Sequence, residues 1–235
     1  YEVFSPSQII YEVWQEQREH FDKLFKSAQK IWLNDTTFKH IYHWFYVDEI
    51  SKKKLSSRDW ASNVIKLITE SISYFESKYI TSTEFTKEQI KDIAKKIAIG
   101  SIIFNDIKQD KKNPVLISSD IKKACISFEE SWWAYVMYSI ARANSILKKV
   151  ENLTTSHKDD IILEKQEKIL INEIMRFPLV ISQILDFDNQ ATIIEYTLDL
   201  CRTYNSYYNA CRVIEQDQVF VHRLLITKAF LIVAK

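Results

Sequence analysis

Apolar residues recur every three or four positions through most of the chain, which is the spacing of amphipathic helices. Between positions 62 and 80 this spacing predicts one helix, with its apolar positions at Val64, Ile68, Ile72, Phe75 and Tyr79. Thr86 followed by Gln89 is a capping-box signature, so a second helix is expected to begin there and to end before the loop KQDKKNP. The same spacing predicts later helices over 128–150, 162–177, 190–212 and 218–235.

Two residues mark further helix boundaries. Pro178 stands where a new helix is expected to begin, because a proline at the first helical position lacks only an N–H that would have no partner there. Asn189 is expected to cap the helix over 190–212 with its side-chain oxygen.

The N-terminal segment has a different pattern. The stretches IIYEVW at 9–14 and FKHIYHWFYV at 38–47 are rich in β-branched and aromatic residues, and they flank a segment with helical spacing. Strand, helix, strand is the predicted order. The sequence holds one glycine and three prolines, too few for many tight turns. We therefore predict a mainly α fold, in which residues 62–235 form a bundle of about six helices and the N-terminal strands are the only β structure.

Charge and cysteine content narrow the function classes. With 32 basic and 31 acidic residues the net charge is +1, so an RNA site must be a local patch, and no DNA binding is expected. The three cysteines, Cys125, Cys201 and Cys211, are an odd number, which favours a reducing compartment. We expect an intracellular protein, in the cytoplasm or alternatively the mitochondrial matrix. No apolar run reaches the length of a membrane span, so no membrane association is expected.

Motifs for catalysis are missing from this sequence. It contains no GxGxxG, P-loop, GxSxG or CxxC pattern, and a single glycine leaves little room for a backbone phosphate cradle. His40 and His43 are three residues apart, which in a strand puts them on opposite faces and argues against a metal site. We assign no catalytic residue, no metal and no cofactor from these patterns.

Three stretches, taken together in order, carry a family resemblance. They are IAKKIAIGSIIFNDI, then ISFEESWWAYVMYSIARANSILKK, and finally EYTLDLCRTYNSYYNACRVI followed by HRLLITKAFLIV. In order and spacing they resemble the C-terminal part of class I arginyl-tRNA synthetases, including the helical anticodon-binding domain. The matching positions in the last two stretches are Phe128, Glu129, Tyr135, Tyr138, Ala141, Arg142, Ser145, Ile146, Tyr196, Leu198, Leu200, Asn205, Tyr208, Cys211 and Val213.

The N-terminal segment resembles the end of that family's catalytic domain. Gln17 matches a glutamine associated with the arginine substrate, and the loop that follows looks like the segment that steadies ATP, at Lys54, Ser56, Ser57 and Arg58. Trp14 stands where an acidic residue is usual, and Glu130 replaces a glycine. The motifs that complete the family's activation site are expected upstream of these residues and are not in this sequence. ATP is therefore expected as a cofactor only if a catalytic part exists elsewhere.

The resemblance implies three regions and a leading function. We expect a catalytic-domain remnant at 1–60, a connecting helical region at 61–125 and an anticodon-binding-like bundle at 126–235. The leading function is tRNA binding without catalytic competence of this chain alone. Two alternatives remain open, a scaffold subunit that binds a protein partner in a larger assembly, and a fragment of an active arginine–tRNA ligase.

The helix over 190–212 supplies most of the predicted RNA contacts. An apolar stripe at Ile193, Leu200, Cys201, Tyr204, Tyr208 and Cys211 is expected to pack inward. The opposite, polar stripe consists of Arg202, Asn205, Asn209 and Arg212. It is expected to contact phosphates and base edges, and the alternative is a solvated helix face without a ligand. The family resemblance adds Arg142. Trp132 and Trp133 are expected either at a protein interface or buried between helices.

Overall fold

A computed structural model describes residues 6–31, 35–43, 45–54, 57–79, 85–111, 113–118, 120–129, 132–150, 153–156, 161–216 and 218–235. Helices dominate these ranges. They are α1 (Arg18–Ile31), α2 (Ser57–Tyr79), α3 (Lys87–Ile107), α4 (Ile121–Glu129), α5 (Trp133–Val150), α6 (Lys165–Met175), α7 (Phe177–Phe187), α8 (Ala191–Ala210) and α9 (Val221–Ala234), with a 3₁₀ turn at Gln15–Gln17. The mainly helical fold is confirmed.

Short strands form three small sheets in the described ranges. The strands are β1 (Gln8–Trp14), β2 (Thr37–His43), β3 (Tyr46–Asp48), β4 (Val115–Ile117), β5 (Thr154–Ser156), β6 (Ile214–Glu215) and β7 (Gln218–Phe220). β1 pairs with β2 and β3 with β4, both in parallel, while β7 pairs parallel with β5 and antiparallel with β6. The prediction that the N-terminal strands are the only β structure is therefore wrong. The strands β4 to β7 were missed because runs of two or three residues are too short to show the alternating pattern of a strand.

The N-terminal unit is the predicted strand, helix and strand. Parallel neighbours need a crossover, and α1 supplies it, with the register running from Gln8 opposite Thr37 to Trp14 opposite His43. α1 covers one face of the two strands through Phe25, its one buried residue, whose ring stacks on that of Phe38 at 5.1 Å. This confirms the small α/β remnant at the N-terminus.

The connecting helices confirm some boundaries and correct others. Thr86 and Gln89 make the reciprocal capping box at the start of α3. Where one helix over 128–150 was predicted, α4 ends at Glu129 and α5 begins at Trp133. Eight helices, α2 to α9, lie in the described part of residues 57–235 rather than about six.

The main core lies among the C-terminal helices. Buried apolar residues of α5, α6, α8 and α9 meet there, together with Phe104 of α3 and Val180 of α7. Pro178 lies in the first turn of α7 as predicted, and the side-chain oxygen of Asn189 accepts a hydrogen bond from the N–H of Ala191 at the start of α8. Over the ranges described above, no helix is long and apolar enough to cross a membrane.

Candidate nucleic-acid interface

The seam between α5 and α8 brings together most of the predicted site residues. α8 buries one face in the core, where Tyr204 stacks on Phe230 of α9 with 3.9 Å between ring centroids. Residues late in α8 lie beside residues late in α5, so the two helices run in the same direction along the seam. Aromatic and basic side chains border this seam from Trp132 to Arg212.

Arg142 of α5 is the most constrained basic group at the seam. Its guanidinium lies 4.2 Å from the ring of Tyr138 and 4.9 Å from the ring of Tyr208. One guanidinium nitrogen donates to Oδ1 of Asn205 at 2.9 Å, and another donates to the hydroxyl of Tyr138. The planar cation is thus held between two aromatic rings that are themselves partly exposed, Tyr138 at 52% and Tyr208 at 37%.

Asn205 corrects the predicted polar stripe. It is buried, not on the free face of α8. Its amide nitrogen donates to the hydroxyl of Ser139 at 2.7 Å and to the carbonyl of Cys201 at 3.0 Å, while its oxygen accepts from Arg142. A buried amide is tolerated because these partners replace the hydrogen bonds of water. Asn205 therefore positions Arg142 and cannot itself offer a free face to RNA.

Tyr208 corrects the predicted apolar stripe in the opposite sense. It was expected to pack inward but is 37% exposed, because its ring lies beside Arg142 at the surface of the seam. Leu200, Cys201, Tyr204 and Cys211 are buried as predicted. The helical period predicts that Tyr208, seven residues after Cys201, lies on the same inward face. The guanidinium of Arg142 attracts the ring of Tyr208 and keeps it at the surface instead.

Arg202 lies at the other end of the seam. Its guanidinium pairs with Asp199 at 2.8 Å and lies 5.1 Å from the ring of Trp132. Both members of the ion pair are about half exposed, so the pair is readily exchanged for another anion. Asp199 was not among the predicted site residues, although it precedes Arg202 by three residues and therefore shares its helix face.

A groove of about 500 Å³ continues the seam beyond Arg142. Its lining includes the polar side chains of Lys149, Asn209 and Arg212 above the apolar Ile146 and Val213. Asn209 and Arg212 are exposed, as predicted. The carbonyl of Arg212 accepts a hydrogen bond from Arg223 at 2.9 Å, which fixes the chain where it leaves α8.

A buried ion cluster is joined to this groove by the hydrogen bond from Arg223 to the carbonyl of Arg212. Glu167 of α6 is fully buried and accepts hydrogen bonds from Nε of Arg223 at 2.7 Å and from the N–H of Glu164. Arg223 also pairs with Glu164. Burial alone would raise the pKa of Glu167, but the Glu164 N–H and the charges of Arg223 and His222 outweigh it and lower that pKa. The cluster was not found from the sequence because its members come from two helices far apart in the chain.

Two cysteines, Cys201 and Cys211, lie at this site on α8 and at its end, and Cys211 lines the groove. All three cysteines are free and buried. Burial raises the pKa of the Cys201 and Cys211 thiols to about 11, so both are neutral near pH 7. A neutral thiol is a poor nucleophile and a poor metal ligand.

Only some of the site residues predicted in the N-terminal segment can be placed relative to one another. Gln17 is exposed at the end of the 3₁₀ turn. Nζ of Lys54 lies 3.3 Å from Glu16 and is placed over the rings of Phe45, at 4.1 Å, and Trp14. Lys54 and the Gln17 segment are therefore neighbours. Ser56 lies outside the described residues, as do the side chains of Ser57 and Arg58.

The two histidines considered for metal binding have separate surroundings. His40 packs on Phe21 of α1, whereas His43 lies against Trp14 at 4.5 Å. Among the residues that the structure describes, no group of three or more histidine, cysteine, aspartate or glutamate side chains could hold a metal ion.

Comparison with known proteins agrees with this geometry. Residues 136–235 match the family model of the DALR anticodon binding domain. The chain is 29% identical over 232 residues to an arginine–tRNA ligase of Clostridium botulinum, which covers 96% of this chain and 40% of that protein. It is similar to the C-terminal part of the arginyl-tRNA synthetases. An arginine–tRNA ligase 2 of Bacillus anthracis is 26% identical over 240 residues, covering 99% of this chain and 41% of the relative.

Solved arginyl-tRNA synthetase structures share the fold. The Thermus thermophilus protein superimposes with a TM-score of 0.76 at 19% identity, covering 97% of this chain and 39% of that one. The Plasmodium falciparum protein gives 0.70 at 21% identity, over 98% and 40%. The resemblance to the synthetase C-terminal part is thus confirmed. The chain spans about two fifths of the length of the relatives it matches.

Proposed function

We propose that this chain is an RNA-binding module that holds the unpaired loop of a tRNA along the α5/α8 seam. The observation that carries the proposal is the placement of Arg142 between Tyr138 and Tyr208, anchored by the buried Asn205. Proteins recognise single-stranded RNA loops by stacking unpaired bases on aromatic rings and guanidinium planes. The seam presents both, already oriented.

The adjoining groove supplies a path for the RNA backbone. Lys149 and Arg212 line it, and exposed cations of this kind contact phosphates without reading the sequence. The net charge of +1 gives no field over the whole protein, so binding depends on this local pair and on Arg142. The similarity to a domain described as anticodon binding favours the anticodon loop as the RNA segment bound.

We also propose that the chain alone does not activate arginine. Lys54, the first residue of the ATP-loop remnant, is paired with Glu16 and placed over two aromatic rings. ATP would bind only together with a catalytic part that this sequence does not contain. Arginine-dependent pyrophosphate exchange by this chain with tRNA, and nothing else, would overturn this part of the proposal.

RNA binding is tested with a hairpin that carries an anticodon-type loop of seven unpaired nucleotides. Arg142→Ala removes the cation from between the rings, and we expect it to weaken binding at least tenfold in fluorescence anisotropy. Arg142→Lys keeps the charge but not the plane, and it should recover only part of that loss. Arg18→Ala, at an exposed arginine of the N-terminal unit, is the matched control. Equal affinity of Arg142→Ala and Arg18→Ala would contradict the proposal.

A second candidate function is a protein-binding role in a larger assembly. The surface of α6 and α7 exposes Met175 at 72%, Leu179 at 58% and Leu185 at 69%. Apolar patches of this kind are typical of protein interfaces. In crosslinking from native extract, Leu179→Glu with Leu185→Glu should then remove a captured protein and leave hairpin binding intact. An unchanged crosslinking pattern would dismiss this candidate.

A further inference from the structure

The two adjacent tryptophans before α5 have opposite surroundings. Trp133 turns inward, where its ring lies 5.6 Å from that of Phe104 and closes on Gly100 of α3. Trp132 turns outward and is 47% exposed. Leaving about half of an indole in water forgoes much of the free energy that its burial would contribute. Packing therefore explains Trp133 but does not explain Trp132.

Trp132 is nonetheless held in one orientation. The Arg202 guanidinium lies 5.1 Å from its ring centroid, and the ring of Tyr135 meets it edge-on at 6.2 Å with an interplanar angle of 89°. Asp199 in turn holds Arg202 at 2.8 Å, and Arg176 lies 4.0 Å from the other oxygen of Asp199. The indole is thus a fixed, half-exposed aromatic surface with a guanidinium beside it.

We propose that Trp132 and Arg202 form a second stacking subsite, which takes one unpaired nucleobase of the same RNA loop that Arg142 binds. The proposal rests on the RNA-binding function proposed above and extends it to a further position. An unpaired base stacks on the solvent-open part of the indole because every base offers a π face. Arg202 donates to the edge of that base or to a neighbouring phosphate.

The position of the pair along the seam supports this assignment. Trp132 precedes Arg142 by ten residues, about 15 Å along the axis of α5. On the facing helix Arg202 precedes Asn205 by three residues, about one turn. The Trp132 pair, the Arg142 clamp and the Lys149 and Arg212 groove therefore follow one another along a single line. A single RNA strand lying along it would meet a ring, a clamped cation and a basic groove in turn.

Charge exchange at Arg202 is compatible with ligand binding. Arg202 and Asp199 are 51% and 50% exposed, and exposed pairs contribute little net stability. A phosphate oxygen can replace the carboxylate of Asp199 at Arg202 without leaving a charge unpaired in the interior. Asp199 then keeps Arg176 as its neighbour.

The test uses the whole chain and the seven-nucleotide loop hairpin. Trp132→Leu keeps apolar bulk but removes the π face, and we expect it to weaken binding about 5- to 150-fold, the range of one lost base stack. Trp132→Tyr keeps a ring and should bind closer to the wild type. Trp14→Leu, at a tryptophan that is 37% exposed on β1, is the matched control. Circular dichroism confirms that each variant is folded, and Trp132→Met, which also lacks a π face, takes the place of the leucine variant if that one is not.

Single abasic substitutions through the loop locate the contact. One abasic position should weaken wild-type binding and cause no further loss in Trp132→Leu, because the same contact is already missing. If Trp132→Leu binds as Trp14→Leu does while Arg142→Ala weakens binding, the second subsite is wrong and the proposed function stands. If Arg142→Ala is also without effect, both fail. If all abasic losses add to that of Trp132→Leu, Trp132 acts on the fold and not on a base.

Discussion

The N-terminal α/β unit and the C-terminal bundle differ in the hydrogen bonding of some of their buried polar side chains. In the bundle Glu167 and Asn205 are buried with several hydrogen-bond partners each. In the α/β unit both ring nitrogens of His40 and the side-chain oxygen of Gln15 are shielded from water, with no hydrogen-bond partner among the residues described. The bundle also contains such atoms, among them Nε1 of Trp133 and the hydroxyl of Tyr204, so the contrast concerns particular residues. Glu167 and Asn205 are each fixed by several hydrogen bonds, whereas His40 is placed by ring contacts with Phe21 and Tyr42.

Apolar packing differs in the same direction. The core of the bundle draws on residues from α3 and from α5 to α9, whereas α1 buries Phe25 alone. A binding site needs side chains held by packing and by hydrogen bonds. Arg142, which is positioned by Asn205 over the core of the bundle, therefore has a rigid support. Gln17 is exposed, and Lys54 is held at the surface by an exposed ion pair with Glu16 and by two rings.

The largest expected effect lies in the bundle, at Glu167. Glu167→Ala removes the fully buried one of the two carboxylates that pair with Arg223, whose side chain is only 14% exposed, and leaves Glu164 as its carboxylate partner. We expect the free energy of unfolding to fall by about 3 to 5 kcal/mol. Urea denaturation followed by circular dichroism measures it. Glu167→Gln keeps the shape and one acceptor and should lose less. A loss below about 1 kcal/mol in the alanine variant would contradict the view that this cluster holds the bundle together.

Acid should remove part of the same stabilisation. The Glu167 pKa is lowered on folding, so its contribution is fully present above the ordinary glutamate pKa of about 4.3 and is lost as the pH falls through the lower folded value. Stability of the wild type should therefore decline more steeply with acid over that window than stability of Glu167→Gln. Parallel pH curves for the two proteins would show that Glu167 is not responsible.

A smaller loss is expected where α3 meets the bundle. A Cβ added at Gly100 would lie 2.5 Å from Cζ2 of Trp133 and 2.7 Å from Cε2. Gly100→Ala should gain about 1 kcal/mol of stability from helix propensity and lose about 1 to 3 kcal/mol to overpacking, so the expected net change is a loss of up to about 2 kcal/mol. Thermal unfolding measures the shift.

Trp133→Leu is the control for the Gly100 prediction. If the collision is with the indole, the double variant should be more stable than the sum of the two single changes. A stabilised Gly100→Ala, or strict additivity with Trp133→Leu, would show that α3 and α5 have room to separate.

The sequence predicted the elements better than the site. Thr86 with Gln89, Pro178 and the strand–helix–strand order depend on neighbours in sequence, and the structure bears them out. Asn205 and Tyr208 were assigned to the wrong faces of α8 because Arg142, 63 residues before Asn205, decides both. The helical spacing predicts a face from the polarity of each residue. It cannot predict a partner on another helix, such as Arg142, that hydrogen-bonds the buried amide of Asn205 and holds the ring of Tyr208 at the surface.

Removing the predicted phosphate contacts at the seam should moderately reduce the salt dependence of RNA binding. Replacing Arg202 and Arg212 together by alanine removes two exposed cations at opposite ends of the seam. Each lost phosphate contact should reduce the salt slope of RNA binding by about 0.7 for a single strand. Anisotropy titrations of the hairpin at several salt concentrations give that slope. Lys26→Ala with Lys30→Ala, two exposed lysines of α1, is the charge-matched control. Equal slopes for the two double variants would remove Arg202 and Arg212 from the interface.

The smallest effect concerns an ion pair between the two regions. Nζ of Lys39 on β2 lies 2.6 Å from Oδ1 of Asp188, just before α8, and the side chains are 32% and 26% exposed. Such a pair should contribute about 0.5 to 1 kcal/mol. Asp188 has φ of 51° in the left-handed region, which asparagine also tolerates, so Asp188→Asn removes the charge without straining the backbone.

A double-mutant cycle of Lys39→Met and Asp188→Asn isolates the pair, read by urea unfolding and by hydrogen exchange in the first turn of α8. A coupling within error of zero would mean that this pair does not couple the two regions. A coupling above about 1 kcal/mol would mean that the α/β unit helps to hold α8, and the contrast between the regions would have to be weakened accordingly.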